Sequence, residues 1–236
     1  MIKAVFFDWF NTLAHYEPSR EELESQALRE CGIDVPPSKL VPALSSADKY
    51  YFAENAISPV RTRSPEEQAG IYTHYQQMVL AEAGVNTSAQ PGQLVQIMKR
   101  TRELSQGMRF ALFSDVLPNL KKLKERKLVL GLLTNLDRDV KPICHEVGLE
   151  PYLDVIVTSA DVGSDKPNPP IFLAALEQAG VNASEAIHVG DQYQSDILGA
   201  RGVGISPVLL DRFGLCRDIT DCPRIQNLSE LTNFLK

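Results

Sequence analysis

One strand stands alone at the start of this 236-residue chain, followed by a long block that reads only as helix. Residues 2–7 form an apolar run rich in aromatic and β-branched side chains, short enough for a buried strand. From about residue 17 to residue 108 no comparable strand signal appears. Pro18, Ser19, Arg20, Glu21 and Glu22 mark a helix start, with Leu23, Ala27 and Leu28 on one face and Cys31-Gly32 as its end. Ser64-Pro65-Glu66-Glu67 joins a capping serine, a proline at the first helical position and a glutamate at the third. The helix it opens is expected to run to Gly84, a good stop residue, and another is expected over about 90–104. Beyond Phe113 the pattern alternates: helices over 115–127, 138–148, 168–180, 195–201 and 229–234, and strands over 129–133, 155–157, 187–189 and 208–210.

Strands alternating with helices at this spacing predict an α/β fold, a three-layer Rossmann-like core whose parallel sheet is covered on both faces. The first strand precedes the helical block and all others follow it. The expected organisation is therefore a core from residues 1–14 and 112–236, with an all-helical domain inserted over 15–111. In open parallel sheets ligands bind beyond the strand C-termini. An insertion after the first strand is expected to lie over that edge as a lid.

Composition narrows the function classes. Hydrophobic residues at 44% and charged residues at 23% are those of an ordinary globular protein. A net charge of −6 supplies no basic field for sequence-independent nucleic-acid binding. The one dense basic run, at 121–127, reads as the solvated face of a helix with Leu120 and Leu123 turned inward. No apolar stretch is long enough to span a bilayer, and a carboxylate at Asp8 comes too early for a secretory signal. A cytoplasmic protein with no membrane or nucleic-acid partner is expected. Cys31, Cys144, Cys216 and Cys222 form no CxxC pair and are expected to be reduced thiols.

Each apolar run ends in, or leads into, a group with chemical potential. The first is followed by Asp8-Trp9-Phe10-Asn11-Thr12-Leu13, the second by Thr134-Asn135, the third by the Lys166-Pro167 loop, and the fourth by Gly190-Asp191 with Asp196 further on. A carboxylate has an unperturbed pKa of about 3.9, so Asp8 is ionised at neutral pH and can attack a phosphoryl or carbon centre. A divalent cation can neutralise the repulsion between that carboxylate and a phosphate, and Mg²⁺ prefers oxygen ligands such as Asp191. His188, inside an apolar strand, reads as a packed core histidine, and Trp9 as packing.

These four motifs, in this order over the whole chain, resemble the haloacid dehalogenase (HAD) superfamily, and the helical block resembles that family's C1-type cap. The resemblance implies a hydrolase with Asp8 as covalent nucleophile, Thr134 and Asn135 contacting the transferred group, and Lys166 holding charge on nucleophile and substrate. It implies Mg²⁺ bound by Asp8, the Phe10 backbone carbonyl and Asp191, with Asp196 in a supporting position. It also implies a small, phosphorylated substrate, selected by the cap, which offers Arg61, Arg63, His74 and several tyrosines.

One position departs from the phosphatase pattern. Family phosphatases carry a second aspartate two residues after the nucleophile as general acid–base, and this chain has Phe10. Acid–base assistance is typically about 10²- to 10⁴-fold, so substrates whose leaving group needs no proton are favoured. Family 2-haloacid dehalogenases also carry an aromatic residue there and need no metal, but lack the Gly-Asp pair found here at 190–191. A metal-dependent phosphatase, a metal-independent dehalogenase and a weakly catalytic phosphate binder are the three functions the sequence leaves open.

Overall fold

A computed structural model of the chain describes residues 1–85 and 91–235. It divides into two compact units, Met1–His15 with Phe110–Lys236, and Tyr16–Arg109. Gln90, the expected start of a helix, lies outside the described residues, as does Lys236.

The inserted unit is built from α1 (Arg20–Glu30), α2 (Pro37–Ile57), α3 (Pro65–Glu82) and α4 (Pro91–Ser105). Both expected start signals close as reciprocal caps: Ser19 with Glu22 on α1, and Ser64 with Glu67 on α3. Each such cap is worth about 1 kcal/mol. The unit has its own apolar core, in which Leu28, Leu40, Leu44, Val79, Leu80 and Ile97 meet. The guanidinium of Arg63 is committed to the end of α2, where it meets the Glu54 carboxylate at 2.7 Å and the Ser58 carbonyl at 2.9 Å.

The strands are β1 (Ala4–Phe7), β2 (Ala14–Glu17), β3 (Arg109–Leu112), β4 (Val129–Thr134), β5 (Val155–Thr158), β6 (Ala186–Gly190), β7 (Ser206–Leu210) and β8 (Arg224–Ile225). Six of them form one sheet in the order β5-β4-β1-β6-β7-β8, parallel throughout. β2 and β3 pair separately, where the chain passes between the two units. These two strands and the two-residue β8 add to the strands expected from sequence. β8 is too short to carry any alternation, and β2 has a single fully buried residue, Ala14.

The core helices are α5 (Val116–Glu125), α6 (Lys141–Glu146), α7 (Ser159–Val162), α8 (Pro169–Ala179) and α9 (Gly199–Gly202). Side chains alternate across β1, so Val5 and Phe7 join one cluster while Ala4 and Phe6 join another. Val116, Leu120 and Leu123 of α5 fill the first, and Ile171, Phe172 and Ala175 of α8 fill the second. The sheet is thereby covered on both faces, which makes the core an α/β sandwich of three layers. Where a helix was expected over 195–201 the chain instead forms a π-helical turn, Tyr193–Leu198, before α9. No described helix is long and apolar enough to cross a membrane.

Candidate active site

The strand order places β1 between β4 and β6, and the chain runs outward from β1 first to one side and then to the other. Parallel sheets open a crevice at such a reversal, outside the strand C-termini. Asp8 follows β1, Thr134 ends β4, and Asp191 follows β6. The backbone N–H of Asp8 donates to the Val189 carbonyl at 2.9 Å, which fixes the carboxylate at the end of the central strand. The chain then turns back sharply. The N–H groups of Leu13 and Ala14 both donate to the Trp9 carbonyl at 2.9 Å, and Asn11 takes the left-handed conformation (φ 58°). Asparagine is among the few side chains that tolerate this region. Trp9 is buried, packed edge-on against Phe110, and serves the core.

Lys166 is the hub. Its Nζ donates to Asp8 Oδ1 and to Asp196 Oδ1, both at 2.6 Å, and its side chain is 2% exposed. Asn135 fixes the Lys166 backbone from both sides, accepting from its N–H at 2.7 Å and donating to its carbonyl at 3.1 Å. The Asn135 amide is thus engaged with the lysine's own main chain. Thr134 Oγ1 accepts from the Leu136 N–H at 3.2 Å, which leaves the hydroxyl proton available to donate.

Oxygen atoms of Asp8, Asp191 and Asp196 lie within 4.8 Å of one another. Asp196 is saturated by the protein: Oδ1 accepts from Lys166 and His188, and Oδ2 from the Gln192 N–H at 3.0 Å. Gly190 makes room for it, because a Cβ there would stand 2.2 Å from Asp196 Cγ. Asp191 accepts only from the Gln192 side-chain amide, at 3.0 Å, among the described residues.

His188 emerges from the structure as part of this network. The side chain is fully buried inside β6, with its ring edge-on to Phe172. Burial holds its pKa below the usual histidine range even though Asp196 pulls the other way. The neutral ring donates its Nε2–H to Asp196 Oδ1 at 2.9 Å. In sequence it was indistinguishable from a core residue, and its partner eight positions away is reached only through the π-helical turn.

The charges do not balance locally. Burial raises the Asp8 carboxyl to about 6, with Lys166 opposing the rise and Asp196 adding to it. Burial, then repulsion from Asp8 and Asp196, pushes Asp191 well above the ordinary carboxylate range. Asp196 is held at about 2: its burial is outweighed by the attraction of Lys166 and the hydrogen bonds it receives. Three crowded carboxylates, Asp196 buried and Asp8 and Asp191 largely withdrawn from solvent, around one ammonium favour a further positive charge. An all-oxygen donor set is the kind that Mg²⁺ takes, so the residues present fit that ion.

The fold and these four motif positions define a hydrolase of one family. The chain belongs to the haloacid dehalogenase-like hydrolases, whose sequence profile matches residues 2–204. A haloacid dehalogenase-like hydrolase domain-containing protein 3 of Danio rerio is 40% identical over 122 residues, 50% of this chain and 50% of that protein. The chain thus spans about half the length of that curated relative. A ribulose-1,5-bisphosphate 5-phosphatase of Halopiger xanaduensis is 28% identical over 220 residues, 89% of this chain and 85% of that one. Among solved structures, a 2-haloacid dehalogenase of Pseudomonas syringae is 26% identical with a TM-score of 0.57, covering 100% of this chain and 98% of the other.

Proposed function

We propose that this hydrolase is a phosphatase, acting on a small phosphorylated molecule through a covalent intermediate on Asp8. The observation that carries the reading is the pairing of Lys166 with Asp8 beside Asp191, whose half-buried carboxylate accepts a single hydrogen bond from the described residues. Metal-independent displacement of halide would leave the Asp191 charge unneutralised beside Asp8 and the carboxylate of a haloacid, whereas a phosphatase's cation would offset it. At about 4 Å and an effective dielectric near 20, each such repulsion is roughly 4 kcal/mol. The Halopiger xanaduensis relative, aligned over most of the chain, is named as a phosphatase, which agrees.

Asp8 Oδ1 receives the Lys166 ammonium, and the Trp9 N–H also donates to the carboxylate; the oxygen not held by Lys166 is the attacking atom. Attack forms the Asp8–phosphorus bond as the bond from phosphorus to the leaving oxygen breaks, and the leaving group takes the electron pair. Water then attacks phosphorus, releasing phosphate and regenerating Asp8. Lys166 and the Thr134 hydroxyl hold charge on the transferred group throughout. Asn135, Asp196 and His188 keep Lys166 in place. Mg²⁺, held by Asp8, Asp191 and the Phe10 carbonyl, would supply charge neutralisation between nucleophile and phosphate. Phe10 can neither give nor take a proton. The favoured substrates are therefore anhydrides, acyl phosphates or aryl phosphates, whose leaving groups depart as stable anions. We propose that the inserted unit, 15–111 by the sequence pattern, selects among them, with 1–14 and 112–236 as the catalytic core.

The second reading is halide displacement. Phe10 and the likeness to the Pseudomonas syringae dehalogenase favour it. One experiment separates the two: hydrolysis of p-nitrophenyl phosphate with and without Mg²⁺, by the wild-type chain and by Asp8→Asn. Turnover that needs both Mg²⁺ and Asp8, and falls at least about 10³-fold in the variant, is the expected result. No turnover above the variant, with metal-independent halide release from 2-chloropropionate, would replace the phosphatase by the dehalogenase.

A further inference from the structure

Arg212 lies just beyond β7, outside all four motifs, and ties the turn at Thr12 to the segment 113–115. Its Nη2 and Nε both donate to the Thr12 carbonyl, at 2.7 and 3.1 Å. Its Nη1 meets the two oxygens of Asp115 at 3.0 and 3.1 Å. The guanidinium plane lies over the Phe113 ring, 4.0 Å from its centroid. The side chain is 9% exposed.

Each of these partners bears on the Asp8 turn. Thr12 belongs to the same tight turn as Trp9, Leu13 and Ala14, whose hydrogen bonds set the path of the chain after Asp8. Phe113 donates its N–H to the Leu13 carbonyl at 3.1 Å, so it grips that turn from the other side. Asp115 is fixed in turn by the Leu228 N–H at 2.8 Å. Asp115 occupies the N-cap position of α5 but makes no side-chain capping bond there. Its carboxylate is directed to Arg212 instead. Asp191 is among the carboxylates whose charge acts on Arg212. A fork of N–H donors that also stacks on an aromatic face is a task for which lysine is a poor substitute.

With Asp8 as the reacting group, as proposed above, we infer that Arg212 is a positioning residue for the reaction: it clamps the turn from Asp8 to Leu13 against Phe113 and Asp115 and so fixes the nucleophile and the Phe10 carbonyl. The clamp acts through backbone geometry and touches neither substrate nor reacting atoms. Misplacing a reacting group by about 1 Å can lower a rate about 10²-fold, so the effect falls on kcat.

The test uses the full chain, p-nitrophenyl phosphate with Mg²⁺, and amide hydrogen exchange over residues 9–14. Arg212→Ala is expected to lower kcat about 10- to 100-fold with KM changed less than about threefold, and to speed exchange of the Asn11, Leu13 and Ala14 amides. Added guanidinium chloride, well below denaturing concentrations, should restore part of the lost kcat. Arg212→Lys keeps the charge and is the variant to read should Arg212→Ala fold poorly; it should show the same faster exchange with a smaller loss. Exchange over 9–14 as slow as in the wild type, in either folded variant, would overturn the clamp. A wild-type chain without Asp8-dependent turnover would remove the phosphatase reading instead, and the exchange measurement would still decide whether Arg212 holds the turn.

Discussion

Both units bury charged side chains, and they balance them differently. In the inserted unit Arg20 meets Asp48 through two hydrogen bonds of 2.9 Å, with the Tyr75 hydroxyl bound to both. Glu24 accepts from Gln76 at 2.5 Å and from Thr101 at 3.0 Å, so each of its oxygens has a donor. In the core Asp8, Asp191 and Asp196 crowd around a single ammonium, and Asp191 has one hydrogen bond. A scaffold minimises uncompensated buried charge because that charge is destabilising. A site that binds a cation and a reacting phosphate can retain it, and strongly shifted carboxylates mark such places. The contrast separates polar groups that hold the fold from polar groups held ready for chemistry.

The sharpest way to break the contrast is to remove the ammonium that Asp8 and Asp196 share. Lys166→Met should lower p-nitrophenyl phosphate turnover about 10²- to 10³-fold and stability by roughly 3–5 kcal/mol. Without the lysine, Asp8 and Asp196 would bind protons more tightly in the folded than in the unfolded state. Their contribution to stability is then present at low pH and lost as pH rises through the raised values. Urea unfolding across the acid range should show the deficit of Lys166→Met growing with pH. A deficit that does not grow would mean that these carboxylates are not the source of the imbalance.

Gly190→Ala should have a smaller effect by displacing Asp196. The new methyl would stand 2.2 Å from Asp196 Cγ, so the carboxylate must leave the position where it receives Lys166 and His188. Overpacking of this kind typically costs about 1–3 kcal/mol, and disturbing a supporting group typically lowers activity about 10- to 100-fold. Wild-type melting temperature and kcat together in this variant would show that Asp196 has no supporting role.

The matched charges of the inserted unit should respond least. Burial raises the Glu24 pKa above 4.5, and the hydrogen bonds from Gln76 and Thr101 only partly oppose it. A raised folded-state value means a stability contribution that is full below the unfolded pKa and declines as pH rises above it. Glu24→Gln removes that decline. Its melting temperature relative to the wild type should move in the variant's favour as pH rises from about 4.5 towards neutrality, with kcat on p-nitrophenyl phosphate unchanged. A large loss of kcat would move Glu24 from scaffold to mechanism.

The same contrast explains what could be read from the sequence. Buried parallel strands appear as continuous apolar runs, so the polar residues that end β1, β4 and β6 stood out, and Asp8, Thr134 and Asp191 were visible as candidates. Lys166 was visible through its position in the loop after β5. The supporting groups were not. His188 sits within an apolar run, and only the π-helical turn carries Asp196 back to it. Arg212 follows the last apolar strand without any accompanying motif, and its partners Thr12, Phe113 and Asp115 lie about a hundred positions or more away. In the inserted unit the buried residues of α2, Leu40, Ala43, Leu44 and Ala47, do repeat at helical spacing, but Pro42 interrupts the pattern. Local periodicity reveals elements and their ends. Pairing across the sheet edge depends on tertiary placement, which periodicity does not encode.

The most direct measurement is a calorimetric titration of Mg²⁺ into the wild-type chain and into Asp191→Asn, with unfolding curves confirming that both are folded. The unbalanced carboxylates predict saturable binding of a single ion to the wild type, and its loss or severe weakening in Asp191→Asn. Equal binding by the two chains, or none by the wild type, would contradict the reading of this cluster as a cation site.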